Sequence, residues 1–327
     1  MNNFSKADKE MMVYLVKKNQ RSYKYVADRY KTTPENVKDI VYDMLNMTKP
    51  SENVKNFVEE EENKPHKIDV FENKVPVVYD TNWHDDIQTI TFGLMGDTQI
   101  NSKYTQLTHL HNFYDICASR GITTVYHTGD IDEGEQMRMG HQYECYTQGV
   151  DDHVAEIVKN YPRREGMTTY FITGNHDASI TRRCGCNIGK MIANERDDMI
   201  YLGQDRARIN ITPKCTLELR HPWDGTTYAL SYKPQKMVES FDSDDKPNIL
   251  AIGHYHKIEQ LYRRGVHVFQ TGAFQSATPF TLGKGIAVDM GGWIITIKVD
   301  REGKLLSLTS ELITYDKAIK DDYKNWR

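Results

Sequence analysis

From residue 89 onward, short β-branched runs alternate with stretches of helical period, and this alternation leaves few fold classes open. "IQTITFGLM" reads as a strand. "YTQLTHLHNFYDICASRG" reads as a helix, with Leu107, Leu110, Tyr114 and Cys117 on one side and Gly121 just past its end. "ITTVYHT" is the next strand, a long helical region to about Asn160 follows, and "TTYFIT" is a further strand. Beyond it, "CTLELR", "TYALSY", "NILAIG", "VHVFQTG" and "GGWIITIKV" read mostly as strands with fewer helices between them. A βαβαβ-like first half and a strand-rich second half predict an α/β sandwich, two β-sheets covered by helices.

The strand ends carry the functional signal. "TFGLM" ends in Gly96-Asp97-Thr98-Gln99, "TTVYHT" in Gly129-Asp130-Ile131-Asp132, and "TTYFIT" in Gly174-Asn175-His176-Asp177. "TLELR" is followed by His221, and "NILAI" by Gly253-His254-Tyr255-His256. Ligands of α/β sheets gather at the carboxyl ends of strands, and these five ends offer carboxylate, amide and imidazole, the side chains that ligate metals. Taken singly, each piece has a plain reading: Asp97 with Gln99 as a strand-end turn, Asp130 as a helix N-cap, His221 as a surface histidine. Their joint order is what points to a metal centre.

Two metals close together can clamp a phosphate ester and hold a hydroxide between them, so no serine or cysteine nucleophile is required. A carboxylate suits the bridge, and Asp130 supplies one. The mixed donors suit Mn²⁺, Fe or Zn²⁺.

The motif order Asp-x-Gln, Gly-Asp, Gly-Asn-His-Asp, a lone His and Gly-His-x-His resembles that of the calcineurin-like metallophosphoesterases, over roughly residues 89–300. The N-terminal helices and the text around "HPWDGTTYALSYKPQK" look most like phage-type members related to DNA-repair exonucleases. The resemblance implies a double β-sandwich flanked by helices and two metal ions. It implies Asp97, Gln99 and His256 on one metal, Asn175, His221 and His254 on the other, and Asp130 on both. It also implies that His176 binds no metal and protonates the leaving group; Asp132 and Glu133, just after Asp130, read either as carboxylates that orient it or as ordinary helix-start acids.

Gln99 departs from the family's usual histidine. An amide oxygen is harder and weaker than imidazole, which tilts the site from zinc towards Mn²⁺ or Mg²⁺. Mn²⁺ is therefore the expected metal, with Fe, Zn²⁺ or Mg²⁺ as alternatives. Arg182 and Arg183 are candidates for substrate phosphate contacts.

Ahead of this domain, residues 1–50 read as a small all-α, helix-turn-helix-like module, with Thr33 as N-cap and Pro34 opening its third helix. The module holds ten Lys/Arg against six Asp/Glu, net +4. Residues 51–88, with ten acids, four lysines and the run Glu59 to Glu62, read as an acidic linker of net −6. The catalytic domain is placed at 89–315 and a C-terminal tail at 316–327.

The whole 327-residue chain carries −4, so any nucleic-acid binding must be local. Absence of an apolar leader or span, and five cysteines, an odd count, point to reduced thiols in a cytoplasm and to no membrane. The function expected is a metal-dependent phosphodiesterase on nucleic acid, DNA favoured. The alternatives are a phosphatase or phosphodiesterase for small molecules, nucleotides or phosphoproteins, and a silent DNA-binding or adaptor protein. Residues 1–50 could equally serve a protein partner, because Glu35 and Asp39 stand where phosphate contacts would lie.

Overall fold

The computed structural model describes residues 4–17, 23–44 and 87–326. The chain divides into two units, Met1–Lys67 and Ile68–Arg327. In the first, helices Lys6–Lys17, Tyr23–Tyr30 and Pro34–Met44 enclose a core of Met12, Leu15, Val26, Ala27, Val37 and Val41. A tight turn joins the second helix to the third: Lys31 takes a left-handed φ of 51° and the Thr32 amide returns to the Ala27 carbonyl at 3.0 Å. The Thr33 hydroxyl accepts from the Asn36 amide at 3.2 Å, the cap that its place before Pro34 predicts. Ser22, which reads from the sequence as the cap of the second helix, and most of the acidic stretch 51–88 lie outside the described residues.

The second unit is a sandwich of two mixed sheets. Strands β1 (Ile87–Met95), β2 (Thr124–His127), β3 (Thr168–Thr173) and β4 (Met199–Gln204) run parallel side by side. Then β10 (Gly291–Asp300) and β11 (Leu305–Thr314) add antiparallel beyond β1, giving the order β11-β10-β1-β2-β3-β4. The other sheet is ordered β5-β6-β7-β9-β8, from β5 (Arg206–Thr212), β6 (Cys215–Arg220), β7 (Ile249–Ile252), β8 (Ile258–Arg263) and β9 (Val266–Thr271).

The period of two along β1 sorts its side chains. Ile90, Phe92 and Leu94 join Ile209, Leu217, Leu219 and Phe269 in the core between the sheets. Met95 joins the outer core with Leu107, Leu110, Phe113 and Cys117 of the helix Leu107–Ser119. A Cβ on Gly93 would stand 3.1 Å from Val125 and 3.3 Å from the Cys117 sulfur, so glycine lets that helix sit close.

Three local expectations are corrected. The long helix before Asn160 is confined to Val150–Asn160, and residues 128–149 form loops with one short 3₁₀ turn, shaped by Gly129, Gly134, Gly140 and Gly149 at positive φ. "TYALSY" is no strand. Its alternation finds no partner strand, Tyr228 is fully exposed, and Tyr232 opens the helix Tyr232–Glu239, with Pro234 in its first turn. The glycine-rich "GKGIAVDMGGW", whose sequence reads as a hairpin connection, instead leads from the short helix Pro279–Gly283 into β10.

Residues 316–326 are docked. Asp322, fully buried, accepts from the Thr108 amide at 2.7 Å and hydroxyl at 2.6 Å at the start of the helix Leu107–Ser119, and Tyr323 stacks on Tyr146. Among the described residues no helix is long and apolar enough to cross a membrane, and all five cysteines are free.

Candidate metal centre

The loops after β1, β2 and β3 and the segments after β6 and β7 converge at one end of the sandwich. The first two run beside each other beyond their strands: the Gln99 amide bonds the Asp130 carbonyl at 3.1 Å, and the Ile100 amide the Ile131 carbonyl at 2.8 Å. The Asp177 carboxylate staples the third loop to the second, accepting from Gly174 at 2.8 Å, Asp132 at 2.9 Å and Ile131 at 3.3 Å. Burial, with Asp130 close by, raises the Asp177 pKa well above the usual carboxylate range despite those donors. Gly174 is required by space, since a Cβ there would lie 2.3 Å from Asp130 and 2.5 Å from His221.

All seven ligand-type side chains expected from the sequence reach this place. Asp97, Gln99, Asp130 and His221 form a buried floor, and Asn175, His254 and His256 are half-buried above it. His221 Nε2 lies 3.1 Å from Asp130 Oδ2 and 3.1 Å from Asn175 Oδ1. His256 Nε2 is 3.4 Å from Asp97 Oδ1, whose carboxylate also accepts the His254 amide. Five of the seven, Asp97, Gln99, Asp130, His254 and His256, have positive φ between 48° and 76°. Such backbone costs about 1 kcal/mol or more per residue and clusters at functional sites.

Backbone carbonyls set the imidazole tautomers. His221 Nδ1 donates to the Thr128 carbonyl at 2.8 Å, leaving Nε2 for the floor. His254 Nε2 donates to the Asp224 carbonyl at 2.8 Å, leaving Nδ1 free to ligate. A ligand imidazole whose other nitrogen is held this way is the usual arrangement at a metal.

The donor set fits divalent cations. Gln99 Nε2 donates to Asp130 Oδ2 at 3.1 Å, while Gln99 Oε1 and His256 Nδ1 are buried without a hydrogen-bond partner. Orphaned buried acceptors are unfavourable unless something electropositive meets them. Electrostatics agree. Burial alone would lower the His221 pKa, yet Asp130 outweighs it and raises the group to about 10. Burial and the His221 charge push His254 down to about 4. Asp130 itself, although burial opposes its charge, is held below the usual carboxylate range by His221 and His176. The Asp130 carboxylate thus favours positive charge at this floor. Asp130, His221 and His254 place ligand atoms within 4.8 Å of one another.

His176 sits at the edge of this floor. Its amide donates to Asp130 Oδ1 at 2.9 Å, and its Nδ1 donates to the Glu133 backbone carbonyl at 2.6 Å. The His176 ring hydrogen-bonds the Glu133 main chain and not the carboxylate of Asp132 or Glu133, although a Glu133 carboxylate oxygen lies within 4.8 Å of it. The Asp132 carboxylate is taken by His153 Nδ1 at 2.8 Å, the Asn101 amide at 2.7 Å and the Gly134 amide at 2.9 Å. The Glu133 carboxylate accepts His141 Nε2 at 2.7 Å and Gln275 Nε2 at 2.5 Å. Orientation of His176 comes from the Glu133 main chain.

Arg183 pairs with Glu135, away from the centre, whereas Arg182 lies over the Trp223 ring with 5.3 Å to its centroid. Cys184 and Cys186 join no group of ligand-type side chains among the described residues. Sequence reasoning gave Asp177 no role beyond its place in the motif, and missed Asp224 and the Glu133–His141 pair. Asp177 carried a signal, an acidic residue at the first position of its helix. The other partners are separated from the residues they hold by loops of no fixed length.

A cleft of about 470 Å³ opens over the centre, lined by Asp130, His176, His254 and His256 on one side and by Trp223, Phe280 and Lys284 at its rim.

No family model matches the chain, and no curated protein does. Solved structures are similar to it. An archaeal phosphodiesterase aligns with 68% of this chain and 100% of its own at 14% identity and a TM-score of 0.37. Vps29 from Entamoeba histolytica, complexed with zinc, aligns over 69% and 99% at 13% identity and a TM-score of 0.35. A 5'-nucleotidase precursor from Thermus thermophilus aligns over 73% and 57% at 12% identity and a TM-score of 0.39.

Proposed function

We propose that the chain is a metal-dependent phosphodiesterase acting on nucleic acid, with DNA favoured. The observation that carries the reading is the buried floor of Asp97, Gln99, Asp130 and His221, completed by Asn175, His254 and His256, with two polar atoms left unpartnered. Asp97, Gln99 and His256 would hold one divalent cation, Asn175, His221 and His254 a second, and Asp130 both. Such ions supply Lewis-acid polarisation of a phosphoryl group and an activated water.

The chain's own residues do the rest. Asp130 fixes the His176 backbone through its amide, and the Glu133 carbonyl holds Nδ1. Nε2 of His176 is then the atom that gives a proton to the departing alkoxide at the cleft. The cations Arg182 and Lys284 attract the flanking phosphates. The three-helix unit, net +4 over residues 1–50, is proposed as a phosphate-binding anchor. Exposed Glu35 and Asp39 on its third helix favour a second reading of that unit, as a protein-interaction surface.

The test is Asp130→Asn. The variant should lose most bound metal and nearly all hydrolysis of a chromogenic diester in Mn²⁺, because the shared ligand loses its charge. Wild-type protein that binds no divalent ion and cleaves neither diester nor DNA in any metal would overturn the proposal.

A further inference from the structure

The rim of the cleft carries two aromatic rings that no core requires. Trp223 is 49% and Phe280 42% exposed. Each has a guanidinium against one face: Arg182 over Trp223 at 5.3 Å, and Arg138 over Phe280 at 4.6 Å. The Trp223 ring is anchored, and the short helix that carries Phe280 is capped. Trp223 Nε1 donates to Asp205 at 2.8 Å, and the next residue, Asp224, gives its carbonyl to His254 and its carboxylate to the Tyr255 hydroxyl at 2.6 Å. Phe280 follows Thr278, whose hydroxyl caps its short helix by accepting the Thr281 amide at 3.2 Å.

The charge around the rings is matched unevenly. Arg138 is paired with Glu144 at 2.6 Å. Among the described residues, Arg182 and Lys284 have no carboxylate partner. Two half-exposed rings backed by arginine, with unpaired cations beside a phosphodiester-type centre, are complementary to alternating bases and phosphates. Base stacking on aromatic faces needs bases free of their own partners, because duplex bases are already stacked on each other. A phosphopeptide would use the cations and leave the rings without a role.

We infer that Trp223 and Phe280 stack unpaired nucleobases beside the phosphate held at the centre, so that the substrate is single-stranded nucleic acid. This rests on the phosphodiesterase reading and narrows it. Asp224 joins the two functions, since one residue adjoins the Trp223 ring and holds the His254 tautomer.

The experiment uses the full chain. In chelator, binding of a labelled oligothymidylate and of a duplex of equal length is measured by anisotropy for wild type, Trp223→Ala, Phe280→Ala and Trp223→Phe, after circular dichroism has shown that each variant is folded. The wild type should favour the single strand. Each alanine variant should lose about tenfold in that affinity, and Trp223→Phe should stay close to wild type. With Mn²⁺, the preference for thymidine 5'-(4-nitrophenyl phosphate) over methyl 4-nitrophenyl phosphate should fall in Trp223→Ala through KM.

Equal binding of both strands, unaffected by either alanine, overturns the inference. Hydrolysis of the methyl ester with no preference for the nucleoside ester also overturns it, and leaves the phosphodiesterase reading standing. Ring-dependent strand binding without hydrolysis of any diester supports the stacking and removes the phosphodiesterase reading instead.

Discussion

The Gln99 side chain donates its amide to Asp130 Oδ2 at 3.1 Å while its own oxygen, buried, meets no partner. An amide placed this way presents its acceptor to whatever the carboxylate attracts. If that is a cation, Gln99→His should tighten the first metal position and widen tolerance towards Zn²⁺ and Fe. Metal content after dialysis and calorimetric titration with Mn²⁺ and Zn²⁺ would measure this. Unchanged content and unchanged preference would put Gln99 outside the coordination sphere.

His176 is held at Nδ1 by a carbonyl and touches the floor only through its amide. His176→Ala should therefore keep metal, yet lower turnover by roughly 10²–10⁴-fold for a poor leaving group. An ester with a nitrophenolate leaving group needs little protonation and should suffer less. Equal losses on both substrates would remove the proton-donor role.

The buried pair His153–Asp132 makes stability depend on pH. Burial opposes charge on His153, but Asp132 outweighs it, so the folded pKa lies above the ordinary 6.5. A raised pKa means that the stabilisation is full below about 6.5 and is lost as pH rises through the folded value. His153→Gln should accordingly cost about 3 kcal/mol on the acid side, and the gap to wild type should narrow as pH rises. Urea melts of both proteins across that range would show it. A gap that widens with pH would contradict the assignment.

Deleting residues 1–50 should leave the unit Ile68–Arg327 folded, because the three helices have their own core in Met12, Val26, Val37 and Val41. Turnover of a small diester should hardly change. DNA binding should weaken several-fold, most at low salt, where phosphate contacts are strongest. Truncated protein that binds DNA like the full chain at every salt concentration would make residues 1–50 a protein-interaction module.

The sandwich and the convergence on its end were legible because glycine followed by Asp, Asn or His recurs where β-branched runs stop. That signal is local. The unread elements were of two kinds. The strands left unread, β4, β5, β8 and β11, are the four edge strands of the two sheets, and in β8 and β11 much of the length is exposed, so the apolar pattern is broken by Glu259, Gln260, Ser307 and Glu311. The segment 128–149 was read as helix because its polar text lacks strand character, although its glycines turn it into loops. The residues that hold the site in shape were harder still. Asp224 meets His254 across 30 positions and Asp132 meets His153 across 21, and neither spacing follows any helical or strand period.

Five of the seven ligand-type residues gathered at this end of the sandwich adopt a left-handed backbone that glycine would occupy without strain. Backbone strain and the proposed metal site therefore coincide at Asp97, Gln99, Asp130, His254 and His256. Substitutions to glycine or asparagine here act in both directions on melting temperature, since relief of strain is offset at Asp97 and Asp130 by loss of the carboxylates that hold the His254 and His176 amides. For any thermostable variant of this chain, these five codons are the first to sequence.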